Sequence, residues 1–95
     1  MIKQSLLVLL TALASTQALA SAKCEEHPEA ERLHPLEMQK KIVNEYGFAI
    51  KKFQNSGNCY EIYGWGLNDD KSKYVQIEVY FDTKTGAIVK KEIED

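Results

Sequence analysis

The chain has 95 residues, of which 12 are basic and 14 are acidic, so its formal net charge at pH 7 is −2. This length predicts a single domain. Aromatic residues do not interleave with a basic patch, which argues against a nucleic-acid partner, and the lysine pairs at 40–41, 51–52 and 90–91 are interpreted as solvated faces rather than a polyanion site.

Residues 1–20 have the pattern of a secretory signal peptide. Lys3 supplies the positive charge, an apolar run follows, and Ala18-Leu19-Ala20 is a small-x-small cleavage site, with a competing site after Ala22. The apolar run is shorter than the roughly 20 residues that a spanning helix needs. We therefore expect a leader followed by a domain at residues 21–95, exported to the periplasm or the medium of a bacterium and not inserted in the membrane.

The two cysteines, Cys24 and Cys59, predict a disulfide, because export compartments are oxidising and small domains need a covalent constraint. A loop of about 35 residues closed in this way gives about 3.5–4 kcal/mol of stability in the chain-entropy model. The alternative, a free or redox-active thiol, lacks a Cys-x-x-Cys spacing. A lipid anchor on Cys24 is disfavoured by Lys23 and Ser21, which stand where a small and a Leu-like residue are needed.

The segment before the helix, residues 23–34, is polar and acidic, and we expect a turn or a one-turn helix that carries Cys24 to the domain. His27 and His34 are seven residues apart, a spacing that matches no ligand motif, so they are interpreted as surface histidines. No metal site and no cofactor are expected, although the segment also offers the carboxylates of Glu25, Glu26, Glu29 and Glu31.

A helix is predicted from Pro35 to Gly47, with the proline in the first turn and the glycine as terminator. Met38, Ile42 and Tyr46 recur every fourth residue and form an apolar stripe that should pack on a sheet as core. Leu36 and Val43 lie on the flank of this stripe.

Two shorter strands are predicted after the helix, at residues 48–53 and 59–65. Residues 54–58 between them have the composition of a turn, and residues 66–73 form a polar loop. The Asn68-Asp69-Asp70 run in that loop lacks the ligand spacing of a calcium site.

The strand at residues 74–81 alternates strictly between apolar and polar positions, as a half-buried strand does. The positions on the apolar side are Val75, Ile77, Val79 and Phe81. The positions on the polar side are Tyr74, Gln76, Glu78 and Tyr80. A hairpin should follow, in which Asp82 accepts hydrogen bonds from the turn and Gly86 takes a positive φ before the apolar run restarts at Ile88. The predicted fold class is therefore α+β, with one main N-terminal helix packed on a three- to four-stranded antiparallel sheet.

These features together resemble the small secreted PepSY-domain proteins of bacteria. The most specific parts are the run Gly-Asn-Cys-Tyr-Glu-Ile-Tyr-Gly at residues 57–64 and the Tyr-Phe-Asp-x-x-Thr-Gly hairpin at residues 80–86. Thr83 stands where the family commonly has a proline, and the loop at 66–73 is longer than usual. The resemblance implies a helix on an antiparallel sheet, a structural role for Asp82, Thr85 and Gly86, and a role as inhibitor or intramolecular chaperone, because related domains occur in propeptides of secreted metallopeptidases.

The function predicted from these observations is that of an exported, non-catalytic binding module whose partner is another exported or membrane-bound protein. The resemblance implies inhibition or regulation of a peptidase as one such role. Aromatic residues are favoured in interface hot spots, and the partner-binding candidates on the polar sheet face are Tyr63, Trp65, Tyr74, Tyr80, Glu61 and Glu78. The competing interpretation is that these rings only pair across strands or lie under the Cys24 segment. A sheet edge offers a second route to a partner, by strand addition.

The sequence leaves two alternative functions. An enzyme is disfavoured because no activated nucleophile or acid–base pair is evident. A periplasmic carrier of a small ligand or a metal is the other alternative. The oligomeric state is predicted to be a monomer or a weak dimer through an unpaired edge.

Overall fold

The computed structural model describes residues 22–94 of the chain. A one-turn 3₁₀ helix at Glu29–Glu31 precedes helix α1, and four strands follow, with these bounds: α1 Pro35–Asn44, β1 Ala49–Ser56, β2 Cys59–Leu67, β3 Tyr74–Asp82 and β4 Ile88–Glu94. The predicted signal peptide lies outside the described residues. Within residues 22–94, no helix has both the length and the apolar character needed to cross a membrane.

The four strands form one antiparallel sheet in the order β1-β2-β3-β4, so each strand pairs with its neighbours in sequence. β2 and β3 pair without a register shift, from Cys59 opposite Asp82 to Leu67 opposite Tyr74. The two outer pairings each contain a bulge, one between Ile50 and Lys52 and one between Tyr80 and Phe81. The α+β class is confirmed for residues 22–94, which contain one α-helix and a sheet of four strands; the helix follows a 13-residue segment, residues 22–34, rather than opening the described chain.

Helix α1 lies on the apolar face of the sheet through a narrow stripe. Met38 and Ile42 are fully buried there, Tyr46 packs against the same cluster, and the sheet supplies the remaining core side chains, Phe48, Tyr60, Ile62, Ile77, Val79 and Phe81. Leu36 and Val43 remain exposed. The predicted stripe is therefore the core contact of the helix, and the flanking residues are outside it.

The helix begins with the His34 ring, whose Nδ1 accepts a hydrogen bond from the Leu36 amide at 3.1 Å, and with Pro35 in the first turn. It ends at Asn44, three residues before the predicted Gly47. The amides of Tyr46 and Phe48 already bond outside the helical pattern, to the carbonyls of Lys41 and Ile42, and Gly47 turns the chain with a φ of 73°.

The turn between β1 and β2 is shorter than predicted. β1 continues to Ser56 because residues 52–56 pair with β2 without a shift, which leaves only Gly57 and Asn58 between the strands. Gly57 has a φ of 57°, and a glycine with positive φ at the first central position is characteristic of a type II′ hairpin turn.

The N-terminal segment, residues 22–34, is fastened to the end of the sheet where β2 begins and β3 ends. The predicted disulfide between Cys24 and Cys59 is confirmed, with 5.3 Å between the Cα atoms. Farther along, the Leu33 amide donates to the Thr83 carbonyl at 2.8 Å, and the Tyr60 hydroxyl donates to the Leu33 carbonyl at 2.7 Å. The segment thus passes from the β2–β3 end of the sheet to the helix side.

The turn between β3 and β4 is organised by Asp82. Its Oδ2 accepts hydrogen bonds from the Lys84 amide and from the amide and hydroxyl of Thr85, at 2.8–3.0 Å. Gly86 has a φ of 76° and its carbonyl accepts a hydrogen bond from the Tyr46 hydroxyl at 2.8 Å.

The other oxygen of Asp82 corrects the interpretation of His27 as a surface histidine. His27 Nε2 lies 2.9 Å from Asp82 Oδ1, and the imidazole is buried against the turn. The two residues are 55 positions apart in the chain, so local sequence did not show the pairing.

Thr83 stands at the position where related hairpins carry proline. It is buried, and its Oγ1 has no hydrogen-bond partner. Among the described residues, no other buried side-chain nitrogen or oxygen lacks a partner. An unsatisfied buried hydroxyl costs about 1–3 kcal/mol. Valine has nearly the same shape without that hydroxyl.

We predict that Thr83→Val raises the free energy of unfolding by about 1 kcal/mol, because it removes the desolvation cost and keeps the packing. Urea denaturation of the oxidised protein at pH 7 measures the change. Thr85→Val is the matched control, and it should lower stability because the Thr85 hydroxyl donates to Asp82. If Thr83→Val is as stable as the unaltered protein or less stable, the conclusion that the buried Thr83 hydroxyl lacks a partner is contradicted.

Candidate functional site

The sheet face away from α1, called the outer face below, carries most of the predicted partner-binding residues. The strand register places the following side chains on it: Lys52, Gln54, Glu61, Tyr63, Trp65, Gln76, Glu78, Tyr80, Lys90, Glu92 and Glu94. The face divides into a buried region near the disulfide and an exposed region at the opposite end of the sheet.

The buried region corrects the prediction that Glu61, Glu78 and Tyr80 are exposed partner contacts. Their exposed fractions are 2%, 8% and 2%. They lie on the two central strands, where side chains from β1 and β4 flank them on both sides: Gln54 pairs with Glu61, Lys90 with Tyr80 and Glu92 with Glu78. Such lateral packing covers the middle of a sheet face without a second layer.

Hydrogen bonds connect these buried groups. Gln54 Nε2 donates to Glu61 Oε1 at 2.8 Å, and the Tyr80 hydroxyl donates to Glu78 Oε2 at 2.8 Å. The carboxyl groups of Glu61 and Glu78 lie diagonally across the β2–β3 pair and shift each other's pKa. Ionisation of both groups at such a site is unfavourable, because two negative charges repel each other.

The pKa shifts of the two carboxyl groups have opposite directions. Burial raises the pKa of Glu61, and the interaction with Glu78 acts in the same direction. The pKa of Glu78 is lowered, chiefly by the interaction with Glu61, against the effect of burial. Of the two groups, Glu61 therefore keeps its proton to the higher pH.

The neighbouring groups respond to the Glu78 carboxylate. The hydrogen bond to Glu78, followed by burial, raises the pKa of Tyr63 to about 12. Burial and then the bond to Glu78 raise the pKa of Tyr80. Burial and then Glu78 also raise the pKa of Glu94 on the edge strand. Both phenols thus remain protonated donors at neutral pH.

The exposed region of the outer face is apolar and aromatic. Trp65 is 37% exposed and Tyr74 is 65% exposed, while Tyr63 is half-buried beside the carboxyl network. Leu67, which sequence reasoning missed, lies opposite Tyr74 and is also exposed. The alternation Trp65-Gly66-Leu67 was the available signal, because it continues the strand beyond its predicted end.

A cleft of about 400 Å³ crosses the outer face beside Trp65 and is called the outer-face cleft below. All four strands contribute to its lining, which consists of Lys51, Lys52, Gln54, Tyr63, Gly64, Trp65, Gln76, Ile77 and Glu94. It combines an aromatic surface, amide groups and charges of both signs.

A second group of ligand-type side chains has a structural explanation. Glu25, His27 and Asp82 place donor atoms within 4.8 Å of one another. Burial alone would raise the pKa of Asp82, but hydrogen bonds from the Thr85 backbone, His27, the Thr85 hydroxyl and the Lys84 backbone hold it at about 2. One oxygen of Asp82 thus holds His27 of the N-terminal segment, and the other organises the β3–β4 turn.

We predict that Glu61→Gln increases the free energy of unfolding at neutral pH. The raised pKa means that the folded state opposes ionisation of Glu61, so this carboxyl destabilises the fold once the pH exceeds its unfolded pKa. Glutamine removes that cost and can still donate to Glu78. Denaturation from pH 4 to pH 8 should show the difference growing with pH, and a difference that is absent or independent of pH would contradict the raised pKa of Glu61. Glu26→Gln, at an exposed position, is the control.

Comparison with known proteins identifies a family for the chain. No curated protein and no solved structure matches the chain at a significant level. The family described as peptidase propeptide and YPEB domain, PepSY_2, matches residues 4–92. The chain therefore belongs to the PepSY_2 family.

Proposed function

We propose that this protein is an exported, non-catalytic module that binds a peptidase and regulates it through protein contacts. The family description names peptidase propeptides, and a propeptide acts on its peptidase by binding to it. The Cys24–Cys59 disulfide supports an oxidising compartment, and the pattern at residues 1–20 supports export by a signal peptide.

The observation that carries this proposal is the exposed aromatic end of the outer face. Trp65 and Tyr74 are presented by adjacent, fully paired strands, so their backbones are fixed before any partner arrives. Pre-ordered aromatic side chains lose little entropy on binding and dominate interface energetics. Tyr63 and Leu67 extend the same surface.

The chemistry of the described residues supports a binding role over catalysis. Both cysteines are in the disulfide, His27 pairs with Asp82, and His34 caps α1. Glu61 accepts a hydrogen bond from Gln54, and Glu78 accepts one from Tyr80.

We predict that the oxidised protein changes the rate of casein hydrolysis by the exported peptidases of its source cells in a saturable way. Trp65→Ala/Tyr74→Ala should need at least about tenfold more protein for the same effect, because it removes two anchor side chains. The assay measures release of dye from labelled casein by the exported protein fraction.

The matched control is Leu36→Ala/Val43→Ala, which truncates two exposed apolar side chains on the helix and should behave as the unaltered protein. If neither the unaltered protein nor either double variant changes casein hydrolysis, the proposal of peptidase regulation is wrong. If both double variants act like the unaltered protein, the outer face is not the contact surface.

A further inference from the structure

The outer-face cleft has walls of opposite charge. On β1, Lys51 and Lys52 line one side, and neither forms an ion pair with another described residue. On β4, Glu94 lines the other side. Carboxylate oxygens of Glu78, Glu92 and Glu94 lie within 4.8 Å of one another. Of these three residues, Glu92 forms an ion pair, with Lys90 at 3.7 Å.

Each wall is complementary to one kind of charged group. Three carboxylates held close together repel one another, and a cation between them would relieve that repulsion. The two lysines offer up to six N–H donors to an anion. Between the walls, Trp65 presents an exposed ring, and the Gln54 and Gln76 amides supply hydrogen-bonding groups.

The spacing of the walls sets the size of the ligand. β1 and β4 are separated by three interstrand spacings, each about 4.8 Å, so the two walls are about 14 Å apart. An extended peptide advances about 3.4 Å per residue. A peptide of about four residues laid across the strands therefore reaches from one wall to the other.

We propose that the outer-face cleft binds short peptides with two free termini. The α-ammonium lies at Glu94 and the neighbouring Glu92, the terminal carboxylate lies at Lys51 and Lys52, and an apolar side chain packs on Trp65. This inference rests on the proposed function for its biological source, because peptidases release such peptides. Such peptides compete with the peptidase for the outer face.

The test is a titration of the oxidised protein with the tetrapeptide Ala-Ala-Phe-Ala, followed by calorimetry and by the fluorescence of Trp65, the single tryptophan of the chain. We expect saturable binding. The N-acetylated peptide, the C-amidated peptide and the dipeptide Ala-Phe should each bind about tenfold more weakly, since each loses a charge-assisted contact or the span between the walls.

Variants assign each end of the peptide. Lys51→Met/Lys52→Met should bind the free and the C-amidated peptide equally, and Glu92→Gln/Glu94→Gln should bind the free and the N-acetylated peptide equally. Lys40→Met on α1 is the control and should leave every affinity unchanged. Equal affinities for the free and blocked peptides, or no calorimetric binding of the free peptide, would overturn the inference.

The casein assay on the same preparations separates the two claims. Casein hydrolysis that still responds to the protein, together with absent peptide binding, overturns the peptide site alone. Terminus-dependent peptide binding without any effect on casein hydrolysis supports the peptide site and overturns peptidase regulation.

Discussion

The attachment of the N-terminal segment to the β3–β4 turn is the constraint on which the rest of this small domain depends. Asp82 is at its centre, because one carboxylate oxygen organises the turn and the other holds His27. The same turn receives the Leu33 amide and the Tyr46 hydroxyl, so the segment, the end of the helix region and the hairpin meet at one place. The nearby disulfide joins residues 35 positions apart and contributes about 3.5–4 kcal/mol in the chain-entropy model.

This arrangement determines which part of the sheet is free to bind. The N-terminal segment lies at the end of the sheet where Cys59 pairs with Asp82. Helix α1 covers the sheet face opposite the outer face. The end with Trp65 and Tyr74 is left exposed, next to charged walls on the two edge strands. The proposed binding surface and the structural attachment are therefore at opposite ends of the same two central strands.

Sequence reasoning predicted the features that depend on local periodicity or on simple counting. The alternation at residues 74–81 gave β3 and its apolar face, and the four-residue spacing of Met38 and Ile42 gave the core face of the helix. Two cysteines in one small chain allowed a single pairing, which the structure contains. In each case the signal lies within a few neighbouring residues or in the composition.

The features that were missed depend on residues distant in sequence. The burial of Glu61 and Glu78 requires side chains from all four strands, and the contact of His27 with Asp82 joins positions 55 apart. A polar residue at an alternating strand position predicts only which face it occupies. Whether that face is covered depends on its lateral neighbours, which a single sequence does not align.

The most direct test of the central attachment is the free energy of unfolding from pH 6 to pH 1.5 for the unaltered protein and Asp82→Asn. Because the pKa of Asp82 falls from 3.8 to about 2 on folding, its ionised form stabilises the fold above pH 3.8, by about 1–2 kcal/mol. That contribution is lost as the pH falls through about 2. The account predicts that the variant is less stable at pH 6 and that the difference shrinks between pH 4 and pH 2. Equal stability at pH 6, or a difference that does not change with pH, would contradict it.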